Sequence, residues 1–78
     1  MSISVDDAVA VGVTFDDHEM HVRMRDGRII SAPIAWFPRL ARASVADRAE
    51  WRLIGAGEGI HWSRLDEDIS IAGLLRRG

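Results

Sequence analysis

The stretch Trp51–Trp62, WRLIGAGEGIHW, decides the architecture of this chain of 78 residues. Apolar residues lie at alternate positions near its two ends, at Trp51, Leu53, Ile60 and Trp62. Alternation of this kind is typical of a half-buried β-strand. The glycine-rich run Gly55–Gly59 lies between the two ends, and glycine within a strand marks a bulge or a sharp bend. The stretch therefore predicts a strand broken by a bend.

The residues before this stretch predict a three-stranded meander. One face of the first strand carries apolar residues with a period of two, at Val9, Val11, Val13 and Phe15. The second strand alternates apolar with polar residues, and its apolar positions are Met20, Val22 and Met24. The dipeptide Asp26-Gly27 follows, which is typical of a two-residue type I′ hairpin turn. The segment Arg28–Ala32 should then return as an antiparallel third strand.

Helical spacing follows the meander. Within Ile34–Ala43, Leu40 recurs at helical distance from the preceding aromatic residues, and Pro38 suits the first turn of a helix. Ser44 precedes a short run with an acidic residue three positions later, as in an N-terminal cap. Ser70 can cap a last helix in the same way. We therefore predict two to three short helices.

Size and composition limit the class of protein. A chain of this length has room for one domain, residues 1–78, and the pattern above predicts the α+β class: a small antiparallel sheet, formed by the meander and a later strand, with short helices. Cysteine is absent, which indicates a reducing compartment and a cytoplasmic location. No apolar run approaches the roughly 20 residues that cross a bilayer, so a membrane protein is not expected.

The charges argue against one class of partner. The chain has ten basic residues, all arginine, and twelve acidic residues, which gives a formal net charge of −2. A surface that follows nucleic-acid phosphates normally carries a basic patch. Direct nucleic-acid binding is therefore not expected, whereas arginine suits protein interfaces through its planar, bidentate group.

Two patterns resemble binding motifs without completing them. Phosphate-binding glycine loops open a helix, whereas a strand-like segment follows the glycines here and Glu58 would repel phosphate. We therefore interpret the glycines as structural residues of a bend and not as a phosphate site. Three histidines, His18, His21 and His61, could supply metal ligands, but His18 and His21 should lie on opposite faces, and a metal site needs several converging ligands. No metal or cofactor is expected.

The acidic run Asp66-Glu67-Asp68, together with His61, offers elements of an acid–base relay. Such a relay needs a nucleophile, and the chain has no cysteine, lysine or tyrosine. None of its six serines lies next to an evident base in the sequence. The sequence therefore favours a protein that is not an enzyme. A small metal-binding or enzymatic domain that uses His61 with Asp66 or Asp68 stays as an alternative.

Adjacent aromatic residues point to an interaction surface. Trp36 and Phe37 cannot both face the same helical stripe, so one of them must lie near the surface. Tryptophan is enriched at the centres of interfaces. An exposed Trp36 beside Arg39 and Arg42 would anchor a protein partner. The acidic loop is the other candidate for partner binding, with the residues Asp66, Glu67 and Asp68.

Several segments together carry a resemblance to a known family: Trp36–Leu40, Ser44, Trp51–Gly55, Gly57–Trp62, Leu65–Ser70 and Gly73–Leu75. They resemble the bacterial family called domain of unknown function 2442 over nearly the whole chain. Ser63 stands where the family commonly has proline, and Phe37 stands where a tyrosine or tryptophan precedes the helix proline. The resemblance implies a compact α+β domain with an antiparallel sheet and short helices, and no established enzymatic activity.

The resemblance also implies a class of partner. Family members are often encoded beside another small gene, in an arrangement that resembles toxin–antitoxin pairs. This implies an antitoxin-like protein that binds and masks a toxin-like protein, and acidic clusters would suit a basic partner: Asp6-Asp7, Asp16-Asp17 and Asp66–Asp68. One alternative is a phage or mobile-element inhibitor of a host defence complex subunit, like an anti-CRISPR protein. Self-association as a homodimer through an edge strand is another alternative.

Overall fold

The computed structural model of the protein describes residues 9–77. Along these residues it contains three strands, two short helices, three further strands and a last helix. This arrangement confirms the α+β class. The acidic cluster at Asp6 and Asp7 lies outside the described residues.

The first sheet is the predicted antiparallel meander. It consists of β1 (Ala10–Phe15), β2 (Glu19–Met24) and β3 (Ile29–Pro33), in the order β1-β2-β3. The apolar side of the central strand β2 lies in the core as predicted, through the buried side chains of Met20, Val22 and Met24.

The first strand departs from the predicted alternation at Val11. Between Ala10 and Gly12 the pairing with β2 shifts by one position, so Val11 is the extra residue of a β-bulge. Because the bulge resets the alternation, Val13 is buried while Val11 is exposed. The prediction that Val11 shares the apolar face was therefore wrong.

The turn between β2 and β3 lies where Asp26-Gly27 predicted it, but it is of another type. The Gly27 N–H donates to the Met24 carbonyl over 3.0 Å, and the Met24 N–H donates to the Arg28 carbonyl over 2.7 Å. These bonds enclose a three-residue loop. Gly27 has a φ of 95°, whereas Asp26 has no positive φ. A type I′ turn requires positive φ at both central residues, so the predicted type was wrong.

Two short helices follow the first sheet. A 3-10 turn at Ile34–Trp36 leads into α1 (Pro38–Ala41), which has the predicted proline at its first position. The second helix is α2 (Val45–Arg48). The hydroxyl of the preceding Ser44 accepts a hydrogen bond from a backbone N–H of the first turn over 3.1 Å, which confirms the predicted cap.

The predicted fourth strand is two strands of a second antiparallel sheet. This sheet contains β4 (Trp51–Ile54), β5 (Gly59–Trp62) and β6 (Glu67–Ser70), in the order β4-β5-β6. The turn Gly55–Gly57 reverses the chain because all three of its residues have positive φ. The prediction of one bent strand was therefore wrong, and the sequence did not reveal β6.

The last helix completes a core that both sheets share. It is α3 (Ile71–Arg77), and the hydroxyl of Ser70 accepts a hydrogen bond from the Gly73 N–H over 3.2 Å, as the predicted cap requires. Ile71 and Leu74 are buried in one hydrophobic cluster with residues of both sheets. Within residues 9–77, no helix has the length and apolar character to span a membrane.

Candidate functional site

The aromatic pair before α1 divides between the core and the surface. Phe37 is buried, whereas Trp36 is 44% exposed. The backbone of Phe37, with φ −125° and ψ 86°, separates the 3-10 turn from α1. The two neighbours therefore point into different environments, as the sequence predicted, and the exposed one is Trp36.

Arg39 connects α1 to Asp66 in the loop between β5 and β6. The other two residues of the predicted acidic loop, Glu67 and Asp68, belong to β6, so the prediction that all three form a loop was wrong. The Nη1 of Arg39 donates a hydrogen bond to the backbone carbonyl of Asp66 and lies 3.9 Å from a carboxylate oxygen of the same residue. Asp66 has a φ of 51°, in the left-handed region that aspartate adopts more readily than most residues. The helix and the loop, which the sequence offered as alternative faces, are therefore neighbours.

The other candidate residues differ in how their side chains are engaged. The guanidinium of Arg42 is exposed and has no partner among the side chains that the structure describes. The Glu67 carboxylate accepts the Asp68 N–H over 3.1 Å. The Asp66 carboxylate is 95% exposed. The side chains of Arg42 and Asp66 thus carry exposed charges, and that of Arg39 is 58% exposed.

His61 and Asp68 lie opposite each other in β5 and β6. The Nδ1–H of His61 donates a hydrogen bond to the Asp68 carboxylate. Asp66, the other acid of the metal-binding or enzymatic alternative, bonds Arg39 instead. Among the described residues, these three side chains do not form a cluster of metal ligands. Since a metal site needs at least three converging ligands, we interpret the pair as a cross-strand link.

A chain of three side chains that the sequence did not reveal lies on the first sheet. The Nε2–H of His21 donates to an Asp16 carboxylate oxygen over 2.8 Å, and its Nδ1 accepts from the Ser31 hydroxyl over 2.6 Å. His21 and Ser31 meet because they are directly opposite in β2 and β3. No serine is next to an evident base in the sequence, and this pair forms only through strand pairing.

Exposure limits what this triad can do chemically. Asp16 and Ser31 are exposed, whereas hydrogen-bonded catalytic groups are effective in sites that exclude water. Glu19 joins Asp16 and His21 in a cluster whose ligand atoms lie within 4.8 Å of one another, a spacing that could hold a metal ion. However, Asp16 already accepts the N–H groups of His18 and Glu19, over 2.8 and 2.7 Å. We interpret the cluster as a brace of the β1–β2 turn.

Because of this brace, the contribution of Asp16 to the free energy of unfolding should depend on pH. The hydrogen bond from His21, and then those from the N–H groups of His18 and Glu19, lower the pKa of Asp16 from 3.8 to about 2. A carboxyl group with a lowered pKa stabilises the folded state above its unfolded pKa, and the contribution disappears as pH falls through the folded pKa. Asp16→Asn should therefore reduce the free energy of unfolding above pH 3.8, and the deficit should shrink between pH 3.8 and about 2.

Urea denaturation at a series of pH values measures this deficit. Asp17→Asn is the matched control, because Asp17 accepts none of the hydrogen bonds that hold Asp16. A deficit of Asp16→Asn that stays constant down to about pH 2 would contradict the assignment of the brace.

Comparison with known proteins agrees with the fold. The model of the family DUF2442, described as protein of unknown function, matches residues 10–78. The chain is also similar to a crystal structure of a protein of unknown function from Rhodospirillum rubrum ATCC 11170. That similarity has a TM-score of 0.76 and 27% identity, and it covers 88% of this chain and 86% of the other. No curated protein matches the chain.

Proposed function

Because the chain belongs to the DUF2442 family, whose function is unknown, we propose a function from its own surface: it is a non-catalytic module that binds and masks a partner protein, in the manner of an antitoxin. The observation that supports this proposal is the exposed Trp36 on a helical segment that Arg39 ties to the acidic loop. We call Trp36, Arg39, Arg42 and Asp66 the Trp36 face.

The composition of the Trp36 face suits protein recognition. Tryptophan and arginine are the residue types that most often dominate the binding energy of interfaces. The free guanidinium of Arg42 can make a bidentate contact with a carboxylate of the partner, and the Asp66 carboxylate can pair with a basic group. The surface therefore offers an aromatic anchor with a charge of each sign.

The contact between Arg39 and Asp66 adds preorganisation. Ordering of loops and long side chains opposes association, so a surface that is fixed beforehand binds more tightly. Arg39 holds the backbone of the loop at Asp66 while the Asp66 carboxylate stays exposed. Helix and loop can therefore engage a partner without a further ordering cost in that loop.

The class of the partner separates two versions of this proposal. A small basic toxin-like protein would make the chain antitoxin-like. A subunit of a host defence complex would make it an inhibitor of the anti-CRISPR kind. The net charge of −2 is too small to choose between them by long-range attraction, so the partner has to be identified directly.

A pull-down from the native host, with mass spectrometry of the co-purifying proteins, tests the proposal. We expect one stoichiometric protein partner. With that partner purified, calorimetric titration should show that Trp36→Ala weakens binding about thirtyfold, as for a residue that dominates an interface, and that Arg42→Ala weakens it less. Asp66→Asn tests the loop more cleanly than a change at Asp68, because Asp68 also bonds His61.

Ile29→Ala is the matched control, since Ile29 is 63% exposed at the start of β3, at the far end of that strand from Trp36. It should bind like the wild type. Circular dichroism must show that each variant is folded. The absence of any partner, or an equal loss of binding in Ile29→Ala and Trp36→Ala, would contradict the proposal.

A further inference from the structure

An open groove of about 470 Å³ lies between the end of β1 and α2. Its lining includes Phe15 of β1, Val45 at the start of α2, Ala49 directly after that helix, and Trp51 of β4. β1 and β4 are edge strands of the two sheets, so the groove lies where the two sheets adjoin. Its volume is in the range of sites that hold a large side chain or a small ligand.

The apolar part of this groove is unusually accessible. Val45 is 81% exposed, although it is a large apolar residue at the first position of a helix. Phe15 and Trp51 pack against the core and are only partly buried. Exposed apolar residues that line a concavity mark a binding surface more strongly than scattered ones do. The groove can therefore bury an apolar side chain.

The basic residue that lines the groove, Arg48, is already engaged by other parts of the protein. Arg48 donates from Nε to the Leu40 carbonyl over 2.8 Å and from Nη2 to the Ala41 carbonyl over 3.2 Å. Its guanidinium also lies 6.0 Å from the centre of the Phe15 ring. This arginine is thus part of the wall and joins α2 to α1.

The two acidic residues of the rim differ in whether their carboxylates are engaged. Asp16 and Asp17 line the groove at the β1–β2 turn. The Asp16 carboxylate is already engaged by the hydrogen bonds of the brace. The carboxylate of Asp17 has no hydrogen-bond or ion-pair partner within the described part of the chain. The rim therefore presents negative charge beside an apolar floor.

We propose that this groove receives an extended segment of the partner protein in which a large apolar side chain lies next to lysine or arginine. The apolar side chain contacts Phe15, Val45 and Trp51, and the neighbouring cation pairs with Asp17. The inference rests on the proposed function and adds the chemistry of the partner. It concerns a surface other than the Trp36 face, so the two can be tested separately.

The test uses the full chain, labelled with ¹⁵N, and a capped pentapeptide of alternating arginine and leucine as the probe. We expect the amide resonances of residues 13–17 and 45–51 to shift on titration. Two control peptides replace arginine by glutamate or leucine by serine. Each should bind more weakly. For the glutamate peptide, the loss of a solvent-exposed ion pair corresponds to at most about a fivefold change.

Variants locate the site. Val45→Lys should abolish the shifts, and Asp17→Asn should weaken the binding of the arginine–leucine peptide by up to about fivefold. The matched controls are Ile29→Lys and Glu58→Gln, which make similar changes at exposed positions outside the groove lining. Both should bind the peptide like the wild type.

Three results would overturn the inference: shifts that map to other residues, equal binding of the glutamate–leucine peptide, or unchanged binding by Val45→Lys. Shifts of the same residues that depend on protein concentration without peptide would instead assign the groove to a second copy of the chain. Loss of the native partner on Trp36→Ala, with no peptide binding here, would leave the proposed function standing and reject the groove.

Discussion

Replacing Trp62 with alanine is expected to lower the free energy of unfolding by about 4 kcal/mol. Trp62 belongs to β5 and is fully buried. Its ring lies edge-on to that of Phe15 in β1, with 6.5 Å between the ring centroids, and its indole N–H donates to the Arg48 carbonyl in α2 over 3.0 Å. One side chain thus joins the second sheet to the first sheet and to α2. Alanine would leave a cavity and remove the donor.

Such a loss is about a third or more of the whole stability of a domain of this size. Native domains are stable by roughly 0.05–0.15 kcal/mol per residue, which gives about 4–12 kcal/mol for this chain. We therefore expect the urea midpoint of the Trp62→Ala protein to fall by at least about a third. Urea denaturation followed by far-ultraviolet circular dichroism measures the change without relying on tryptophan fluorescence.

Two variants control this measurement. Trp36→Ala makes the same substitution at an exposed position and should cost about 1 kcal/mol. Trp62→Phe keeps most of the apolar ring and loses the N–H donor, so its cost should be between about 1 and 3 kcal/mol. Similar losses in Trp62→Ala and Trp36→Ala would show that Trp62 does not hold the two sheets together.

The meander could be predicted from the sequence because its signals are local. The alternation at Met20, Val22 and Met24 needs no knowledge of the rest of the fold, and neither does the turn signal at Gly27. The bulge at Val11 could not be predicted in this way. It depends on how β1 pairs with β2, and a single shift of register exchanges the two faces of a strand.

The second sheet shows why a local pattern was insufficient. Trp51–Trp62 has the alternation of one strand, and glycine is compatible with either a bulge or a complete reversal. The reversal requires the three consecutive left-handed residues of Gly55–Gly57, one of which is Ala56. Alanine carries no sequence signal for such a conformation. The strand β6 was missed because its acidic start, Glu67-Asp68, resembles a solvated loop.

The candidate site could be predicted only in part, because some of its features are local in sequence and others are not. The division of Trp36 and Phe37 between surface and core follows from their adjacency. By contrast, Arg39 and Asp66 are 27 positions apart, and their contact exists only in the folded chain. The predicted two-residue turn would have placed His21 opposite Ala32, and the three-residue loop shifts the register by one position to Ser31, so this pair could not be found from the predicted meander. Contacts between elements can be predicted only when the tertiary fold is known.

Gly57→Ala is expected to lower the free energy of unfolding by about 3 kcal/mol, and Gly27→Ala by about 1 kcal/mol. The two glycines have nearly equal positive φ, 93° and 95°, so both substitutions strain the backbone to a similar degree. A Cβ at Gly57 would also lie 2.6 Å from the Ala10 carbonyl oxygen and 2.7 Å from the Val9 side chain. A Cβ at Gly27 would meet nothing within 4 Å. Urea denaturation of both variants isolates the cost of the contact.

That contact joins the β4–β5 turn to the start of β1, and hence one sheet to the other. The Ala10 carbonyl belongs to the backbone, so it cannot rotate away as the end of a flexible side chain can. Alanine at Gly57 therefore has to push the turn and β1 apart, in a region where the neighbouring Ala10 side chain is buried. Equal losses in the two variants would mean that the turn moves away from β1 without cost. The two sheets would then be held together by core side chains such as Trp62 alone.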